Sequence, residues 1–240
     1  MSNNLTGRIN SVQTLGTLDG PGVRFVVFMQ GCPLRCACCH NPETWDTVGG
    51  TEYSATKLFK KVERYKEYFG STGGVTVSGG EPLLQAEFVA EFFKICQENG
   101  IHTCLDTSGA VFNNSVKELL NYTDYCLLDI KYSNNEYYRK YVGCEIEKPL
   151  SFLKHLDEVN VPTRIRQVII KGKNDAKGDM LKLREIVAPF KCVAGIELLP
   201  FRTLCRTKYD KLGLEFKFKE IKDTSEAEIK NLEKILKSAN

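Results

Sequence analysis

Several features typical of membrane, secreted and nucleic-acid-binding proteins are missing from this sequence of 240 residues. No apolar stretch approaches the roughly 18 residues that a membrane-spanning helix needs, and residues 1–8 contain no apolar segment typical of a secretory signal. The sequence has 33 Lys and Arg against 30 Asp and Glu, so bulk charge does not favour nucleic acid as a partner. We therefore expect a cytoplasmic protein that binds neither membrane nor nucleic acid.

Linkers and histidines are also scarce. No Gly-, Pro- or Ser-rich stretch, internal repeat or low-complexity segment divides the chain. A length of 240 residues fits one domain, and we predict a single domain over residues 1–240. With only three histidines and no Ser–His–Asp arrangement, the sequence offers no acid–base catalytic constellation.

Cysteine is the residue type in excess, with ten in the chain. A disulfide framework is typical of short secreted chains, which this sequence does not resemble. Six of the cysteines stand singly among apolar residues and are interpreted as small buried hydrophobes: Cys96, Cys104, Cys126, Cys144, Cys192 and Cys205. The other four lie within residues 32–39 and need a different explanation.

The cluster contains a C-x3-C-x2-C spacing formed by Cys32, Cys36 and Cys39. Three thiolates on one short loop can hold three irons of a [4Fe–4S] cluster and leave the fourth iron open for reaction. A structural zinc site would need a second Cys or His pair, and the sequence has none. Cys38 could be a fourth ligand, which would make the cluster a plain electron-transfer centre. We favour packing for Cys38, because adjacent side chains point in different directions.

Alternating strands and helices predict an α/β fold. Six apolar runs predict strands over residues 23–29, 74–77, 102–106, 125–130, 163–170 and 193–199. Helical patterns follow near residues 54–69, 85–98, 114–121, 149–159, 176–187, 204–212 and 225–237. Such alternation predicts a mostly parallel sheet with right-handed crossovers. Six units are two short of a closed eight-unit barrel, so we predict a partial, open (β/α)6 barrel similar to a TIM barrel.

Polar motifs follow these strands at their carboxyl ends, where βα-barrels place their chemistry. They are Gly79-Gly80-Glu81, Asp106-Thr107 and Asp129-Ile130-Lys131. Taken singly, each is also typical of a tight turn or a salt-bridged strand end. Arg164 and Arg166 share one face of their strand and need an anionic partner if they point inward. Asp129, Glu197 or a substrate carboxylate could serve.

The combined motifs resemble a known family. The segments Gly16–Phe25, Cys39–Asp46, Val75–Gln85, Gly100–Gly109, Leu127–Lys131 and Ile196–Pro200 are closely similar to those of the pyruvate formate-lyase-activating enzymes. These belong to the radical S-adenosylmethionine (SAM) superfamily and activate glycyl-radical enzymes. The resemblance covers nearly the whole chain. It leaves no room for an inserted ferredoxin-like domain between Cys39 and Gly79, which are separated by 39 residues.

The resemblance implies one [4Fe–4S] cluster, whose open iron binds SAM and whose electron cleaves it to a 5′-deoxyadenosyl radical. That radical removes a hydrogen atom from a glycine of pyruvate formate-lyase, the protein substrate, under anaerobic conditions. It also implies a flavodoxin or ferredoxin as electron donor. We expect a monomer. Two alternatives remain at this stage: an activase of another glycyl-radical enzyme, such as anaerobic ribonucleotide reductase, and a non-catalytic iron–sulfur or zinc protein.

By matching position, the resemblance assigns the cluster to Cys32, Cys36 and Cys39. It assigns SAM contacts to Cys38, Cys39, His40, Gly79, Gly80, Glu81, Asp129, Ile130, Lys131, Arg166 and Arg202. Asp106, Thr107 and Asp19 are expected on the side of a bound cation or of the substrate. Two positions depart from the family pattern: Cys38 stands where an aromatic residue is frequent, and Arg202 stands where a histidine is frequent.

Overall fold

A computed structural model describes residues 5–238. Residues 1–4, within the segment expected to carry no secretory signal, and residues 239–240 lie outside this range. The strands are β1 (Thr6–Gly16), β2 (Arg24–Met29), β3 (Thr51–Ser54), β4 (Gly74–Gly79), β5 (His102–Thr107), β6 (Tyr125–Asp129), β7 (Thr163–Ile169) and β8 (Val193–Pro200). The α-helices are α1 (Ala55–Glu63), α2 (Ala86–Glu98), α3 (Asn114–Leu120), α4 (Asn135–Tyr141), α5 (Glu147–Glu158), α6 (Lys177–Val187), α7 (Arg206–Leu212) and α8 (Glu226–Ser238).

The strands form one open sheet in the order β3-β1-β2-β4-β5-β6-β7-β8. Neighbours from β2 to β8 pair in parallel. These are the six predicted strands, and the partial, open barrel is confirmed. The order is linear rather than circular, so β3 and β8 are edge strands among the described residues. That one domain covers residues 1–240 stays a prediction.

The prediction of six strands was incomplete, because the sheet has eight. Strands β1 and β3 pair antiparallel at its edge. The second half of β1 is largely exposed and β3 has no fully buried residue. Strands that are not buried on both faces need no continuous apolar run, which is why the apolar pattern did not reveal them.

Helix boundaries follow the predictions with small differences. The helix expected over residues 54–69 ends at Glu63, and a 3-10 turn covers Lys66–Tyr68. A capping box begins the last helix: the Ser225 amide donates to Glu228 Oε2 over 2.7 Å, and the Glu228 amide donates to Ser225 Oγ over 3.3 Å. Within residues 5–238, no helix has both the length and the apolar character needed to cross a bilayer.

Two apolar clusters hold the fold together. The larger one lies between the sheet and the surrounding helices and includes Val27, Val77, Leu105, Leu128 and Ile165, all completely buried. The smaller one is rich in aromatic residues and packs against the cysteine loop. Its buried rings are Tyr132, Tyr138, Phe201, Tyr209, Phe216 and Phe218. The cysteine loop is therefore supported from behind by a rigid aromatic layer.

Candidate active site

A cavity of about 460 Å³ lies where the parallel strands end. The cysteine loop after β2 forms one wall, and residues at or near the ends of β4, β5, β6, β7 and β8 form the others. Most of the residues singled out in the sequence line it: Asp19, Cys32, Cys36, Cys38, Cys39, His40, Gly79, Gly80, Asp106, Thr107, Asp129, Lys131 and Arg166. The parallel topology thus gathers motifs from five strands around one space.

Backbone hydrogen bonds fix the cysteine loop. The Gly31 amide donates to the Thr44 carbonyl over 2.8 Å, which ties the two ends of the loop together. The Cys39 amide donates to the Cys36 carbonyl over 3.1 Å. The Ala37 amide donates to the carbonyl of Tyr141 in α4 over 2.8 Å. The thiols are therefore held on a loop that is anchored at its ends and at its middle.

All four thiols of the loop are free of disulfides and face a largely dehydrated setting. Burial raises the pKa of Cys32 to about 12 and that of Cys38 to about 11. Burial also raises the pKa of Cys36 and of Cys39. Metal ligation requires the thiolate, so a metal that binds here displaces protons.

The glycine pair lets the end of β4 lie directly on the cysteine loop. Gly79 has φ of +109°, in the region that glycine populates readily, and a side chain there would collide with the backbone of Met29. A side chain at Gly80 would collide with the Gly31 carbonyl. The Glu81 amide donates to that same carbonyl over 2.8 Å. The glycines are thus required for the close approach of two loops that line the cavity.

A network of charged side chains forms the floor of the cavity. The Arg166 guanidinium contacts Asp106 Oδ1 through Nη2 at 2.5 Å and Asp129 Oδ1 through Nε at 3.2 Å. Lys131 Nζ lies 2.5 Å from Asp129 Oδ2. The Ser78 hydroxyl donates to Asp106 Oδ2 over 2.6 Å. Two carboxylates and two cations are therefore connected at the floor of the cavity.

The electrostatics of this network favour the charged forms of Asp129, Lys131 and Arg166. Burial alone would raise the pKa of Asp129, but the adjacent Lys131 and Arg166 outweigh burial and lower it. Burial opposes the charge of Arg166, yet Asp106 and Asp129 raise its pKa. Asp129 similarly raises the pKa of Lys131 against the effect of burial. At the cavity mouth, burial and the nearby Asp106 raise the pKa of Asp19.

Comparison with known proteins identifies the family. The model of the radical SAM superfamily matches residues 26–183. The chain belongs to the radical SAM superfamily. It is 45% identical over 232 residues to the pyruvate formate-lyase-activating enzyme of Clostridium pasteurianum, covering 96% of this chain and 97% of the relative. It is 42% identical over 233 residues to the pyruvate formate-lyase 1-activating enzyme of Escherichia coli (strain K12), covering 96% and 95%.

A solved structure adds to this result. A domain of the pyruvate formate-lyase-activating enzyme from Bacteroides vulgatus superposes with a TM-score of 0.57 at 26% sequence identity, covering 69% of this chain and 93% of that one. As a radical SAM protein, the chain uses a [4Fe–4S] cluster held by cysteines together with SAM. The electron-transfer and zinc alternatives are therefore not supported.

The residues around the cavity fit such a cluster. No three His, Cys, Asp or Glu side chains within residues 5–238 come close enough to hold a single metal ion, whereas Cys32, Cys36 and Cys39 of one loop all line the cavity, as three ligands of a cluster of several irons would. Among the described residues, the buried hydroxyl of Tyr132 has no hydrogen-bond partner. Its ring packs in the same cluster as Cys36 and Cys38. A buried hydroxyl without a partner is costly, and these two sulfurs would provide acceptors as thiolates.

Glu81, which we expected to contact SAM, lies behind the cavity wall. It is completely buried and does not line the cavity. Its carboxylate accepts hydrogen bonds from the Thr107 hydroxyl at 2.5 Å, the Leu83 amide at 3.2 Å, and both the amide (3.0 Å) and the hydroxyl of Ser108. Four donors of the chain thus occupy its two oxygens. Glu81 therefore positions the turn after β5 rather than presenting a free carboxylate to a ligand.

Ile130 and Arg202 also point away from the cavity. The Ile130 side chain is completely buried in the larger core cluster, as the alternation along β6 requires. The Arg202 guanidinium donates to the Thr224 carbonyl over 2.8 Å, while the Arg202 carbonyl lies 3.0 Å from His40 Nε2. Neither side chain lines the cavity. Local hydrogen bonding and packing in the core direct these two side chains elsewhere, and their contacts with SAM stay a prediction.

Among the residues not predicted for the site, Ser78 and Trp45 line the cavity, and Tyr132 packs against the cysteine loop. Ser78 directly precedes the glycine pair, so its place in that motif was a local signal that it belongs to the site. The approach of Trp45 and Tyr132 to the cysteine loop depends on packing and left no pattern. A larger cavity of about 730 Å³ lies between β8, α6 and α8, but none of the cysteines or of the predicted site residues lines it.

Proposed function

We propose that this chain activates pyruvate formate-lyase by placing a radical on a glycine of that enzyme. The proposal is carried by one observation: a loop with three spaced cysteines and a charged floor face each other across a single cavity. Similarity to pyruvate formate-lyase-activating enzymes over 96% of the chain supports this target.

Cys32, Cys36 and Cys39 would hold the cluster, with Cys38 beside it as a packing residue. When bound, the cluster and SAM supply the one-electron chemistry that removes a hydrogen atom from the substrate glycine. Lys131 and Arg166 provide positive charge for a carboxylate, and Asp129 provides an acceptor for an ammonium group. Gly79 and Gly80 let a ligand approach the backbone closely.

Asp106 was expected on the side of a bound cation or of the substrate, and Asp129 among the SAM contacts. Arg166 contacts both carboxylates, and we propose that its guanidinium is the cation that they use. Asp19 and Thr107 also border the cavity and would face the incoming substrate loop, which would enter by the open side of the barrel. We further propose a cytoplasmic monomer that receives its electron from a flavodoxin or ferredoxin.

Electron paramagnetic resonance tests the proposal directly. The anaerobically reconstituted and reduced protein should give a [4Fe–4S]⁺ signal that changes when SAM is added. Mixing with pyruvate formate-lyase should then give the doublet of a glycyl radical. An unchanged cluster signal would exclude SAM binding at an open iron. A doublet on anaerobic ribonucleotide reductase but not on pyruvate formate-lyase would overturn the assigned target.

A further inference from the structure

A basic face surrounds Tyr141 at the carboxyl end of α4. Lys140 Nζ lies 5.4 Å from the centre of the Tyr141 ring, and Lys173 Nζ lies 5.3 Å from it. Among the described residues, neither ammonium forms an ion pair with a carboxylate. Two like charges over one ring repel each other, so a negatively charged partner would relieve this arrangement.

Other basic side chains extend the same face. Arg35, on the cysteine loop, is exposed and lies 5.0 Å from the centre of the Trp45 ring. Phe218 packs 5.3 Å from Tyr141, and the residues on either side of it are the exposed Lys217 and Lys219. Two acidic residues pair with other cations, Glu145 with Arg139 and Glu43 with Lys208. We call Arg35, Lys140, Tyr141 and Lys173 the basic face.

The basic face is directly connected to the cysteine loop. The Ala37 amide, between two of the cysteines, donates to the Tyr141 carbonyl, and the Arg35 amide donates to the Val142 carbonyl over 3.1 Å. Inside, the Tyr141 ring lies 5.8 Å from that of Tyr132. Tyr132 is 1% exposed and packs with Cys36 and Cys38 in the aromatic cluster. One buried ring therefore separates the solvent from the cysteines at this point.

The position of the basic face indicates which role a partner bound there could have. The cavity is where SAM and the substrate glycine must meet, whereas no residue of the basic face lines it. The cleavage chemistry consumes one electron that has to come from outside the chain. A donor that approaches by the basic face reaches the cysteines without obstructing the cavity.

We infer that the basic face is the docking surface of a small acidic protein that carries one electron. This inference rests on the proposed function, which requires the electron. In the step, the reduced carrier loses one electron and the cluster held by the cysteines gains it, with no proton or group transferred. Lys140, Lys173 and Arg35 attract the acidic surface of the carrier, and Tyr141 and Tyr132 form the packed route inward.

The test measures how fast the reconstituted holoenzyme is reduced by photoreduced flavodoxin, an acidic carrier, in an anaerobic stopped-flow experiment. Charge reversal in the double variant Lys140→Glu/Lys173→Glu should lower the second-order rate at low salt by about tenfold or more, because steering by opposite charges raises association rates. The rate of the unmodified protein should fall steeply as salt is added, and that of the variant should not.

Lys94→Glu/Lys154→Glu is the matched control. It changes the net charge by the same amount as Lys140→Glu/Lys173→Glu, at exposed lysines of the outer helices α2 and α5. This variant should keep the rate of reduction by flavodoxin and the salt dependence of that rate. Photoexcited deazaflavin should reduce both double variants as fast as it reduces the unmodified protein. SAM cleavage driven by deazaflavin should also proceed at the same rate in all three proteins.

Three results would overturn the inference. The first is an unchanged rate of reduction by flavodoxin in Lys140→Glu/Lys173→Glu, and the second is an equal loss of that rate in the control variant. The third is that Lys140→Glu/Lys173→Glu loses glycyl-radical formation but keeps its rate of reduction, which would assign the face to the protein substrate. If the unmodified protein fails to cleave SAM with deazaflavin, the proposed function fails, while the flavodoxin rates still test the docking surface.

Discussion

Replacing Arg166 by Met tests the charged floor of the cavity. Arg166 is 8% exposed and holds both Asp106 and Asp129. Without it, Asp129 still has Lys131 at 2.5 Å, but Asp106, which is 9% exposed, keeps only the Ser78 hydroxyl at 2.6 Å. Removing one partner of a buried ion pair costs about 3–5 kcal/mol. We expect about 3 kcal/mol here, mostly from the unpaired Asp106.

Thermal unfolding of the reconstituted protein, followed anaerobically by circular dichroism, measures this cost. For a chain of this length, 1 kcal/mol shifts the midpoint by about 2–4 °C, so Arg166→Met should lower it by about 6–12 °C. Arg164→Met is the control on the same strand. Arg164 is exposed and makes one hydrogen bond, to the Tyr125 hydroxyl at 3.3 Å, so its loss should shift the midpoint by less than about 2 °C.

The pH dependence separates the electrostatic cause from lost packing. In the unmodified protein, Lys131 and Arg166 lower the pKa of Asp129, so its stabilising contribution is present above the unfolded value of about 3.9 and is lost only as the pH falls below it. In Arg166→Met, Asp129 loses one of the two cations that lower its pKa. The stability gap between the two proteins should therefore be constant from pH 8 to pH 5 and narrow only below about pH 4.

A second variant completes the test. Adding Asp106→Asn to Arg166→Met removes the unpaired charge and should recover at least half of the lost stability. The reasoning would be refuted by a stability gap that does not narrow below about pH 4, or by a double variant that is no more stable than Arg166→Met.

Three further outcomes are expected. Cys36→Ala should lose most of its iron and sulfide after reconstitution while Cys38→Ala retains them, and a loss in both would make Cys38 a ligand. Glu81→Gln should destabilise the fold by about 1–3 kcal/mol in thermal melts, because one amide oxygen cannot accept all four buried donors; an unchanged midpoint would contradict the donor arrangement. Gly79→Ala should fail to accumulate as folded protein, because its side chain meets the Met29 backbone. Gly178→Ala, with open space in α6, should be neutral or slightly more stable, and equal behaviour of the two in a solubility and melting assay would refute the steric argument.

The strands that carry the site were readable from the sequence because they are central. A parallel strand covered on both faces is rich in apolar residues, and β4, β5 and β6 are buried along most of their length. The edge strands β1 and β3 gave no such signal, since polar residues are tolerated where a face meets water. Parallel strands also place their carboxyl ends together, so the gathering of the motifs around one cavity followed from the order of elements.

Cross-strand partners were only partly predictable. Asp129 and Arg166 are direct neighbours in the register of β6 and β7, and alternation along each strand made them candidates for one face. Asp106 lies two strands from Arg166, on β5. Their contact depends on the curvature of the sheet and the reach of the guanidinium, which a linear pattern does not contain.

The sequence by itself determined the chemistry of this protein: three cysteines at fixed spacing, a glycine pair and charged strand ends are local features, and residue type and spacing encode them. The tertiary structure decided where those groups point. Glu81 is buried and accepts four hydrogen bonds from the chain, so it positions a turn. The Arg202 guanidinium donates to the carbonyl of Thr224 and does not line the cavity. Tyr132 packs against the cysteine loop, and Lys140 and Lys173 lie outside it, around Tyr141. These outcomes arise from contacts between segments far apart in the chain, where packing and hydrogen-bond satisfaction choose among side-chain directions that the sequence leaves open.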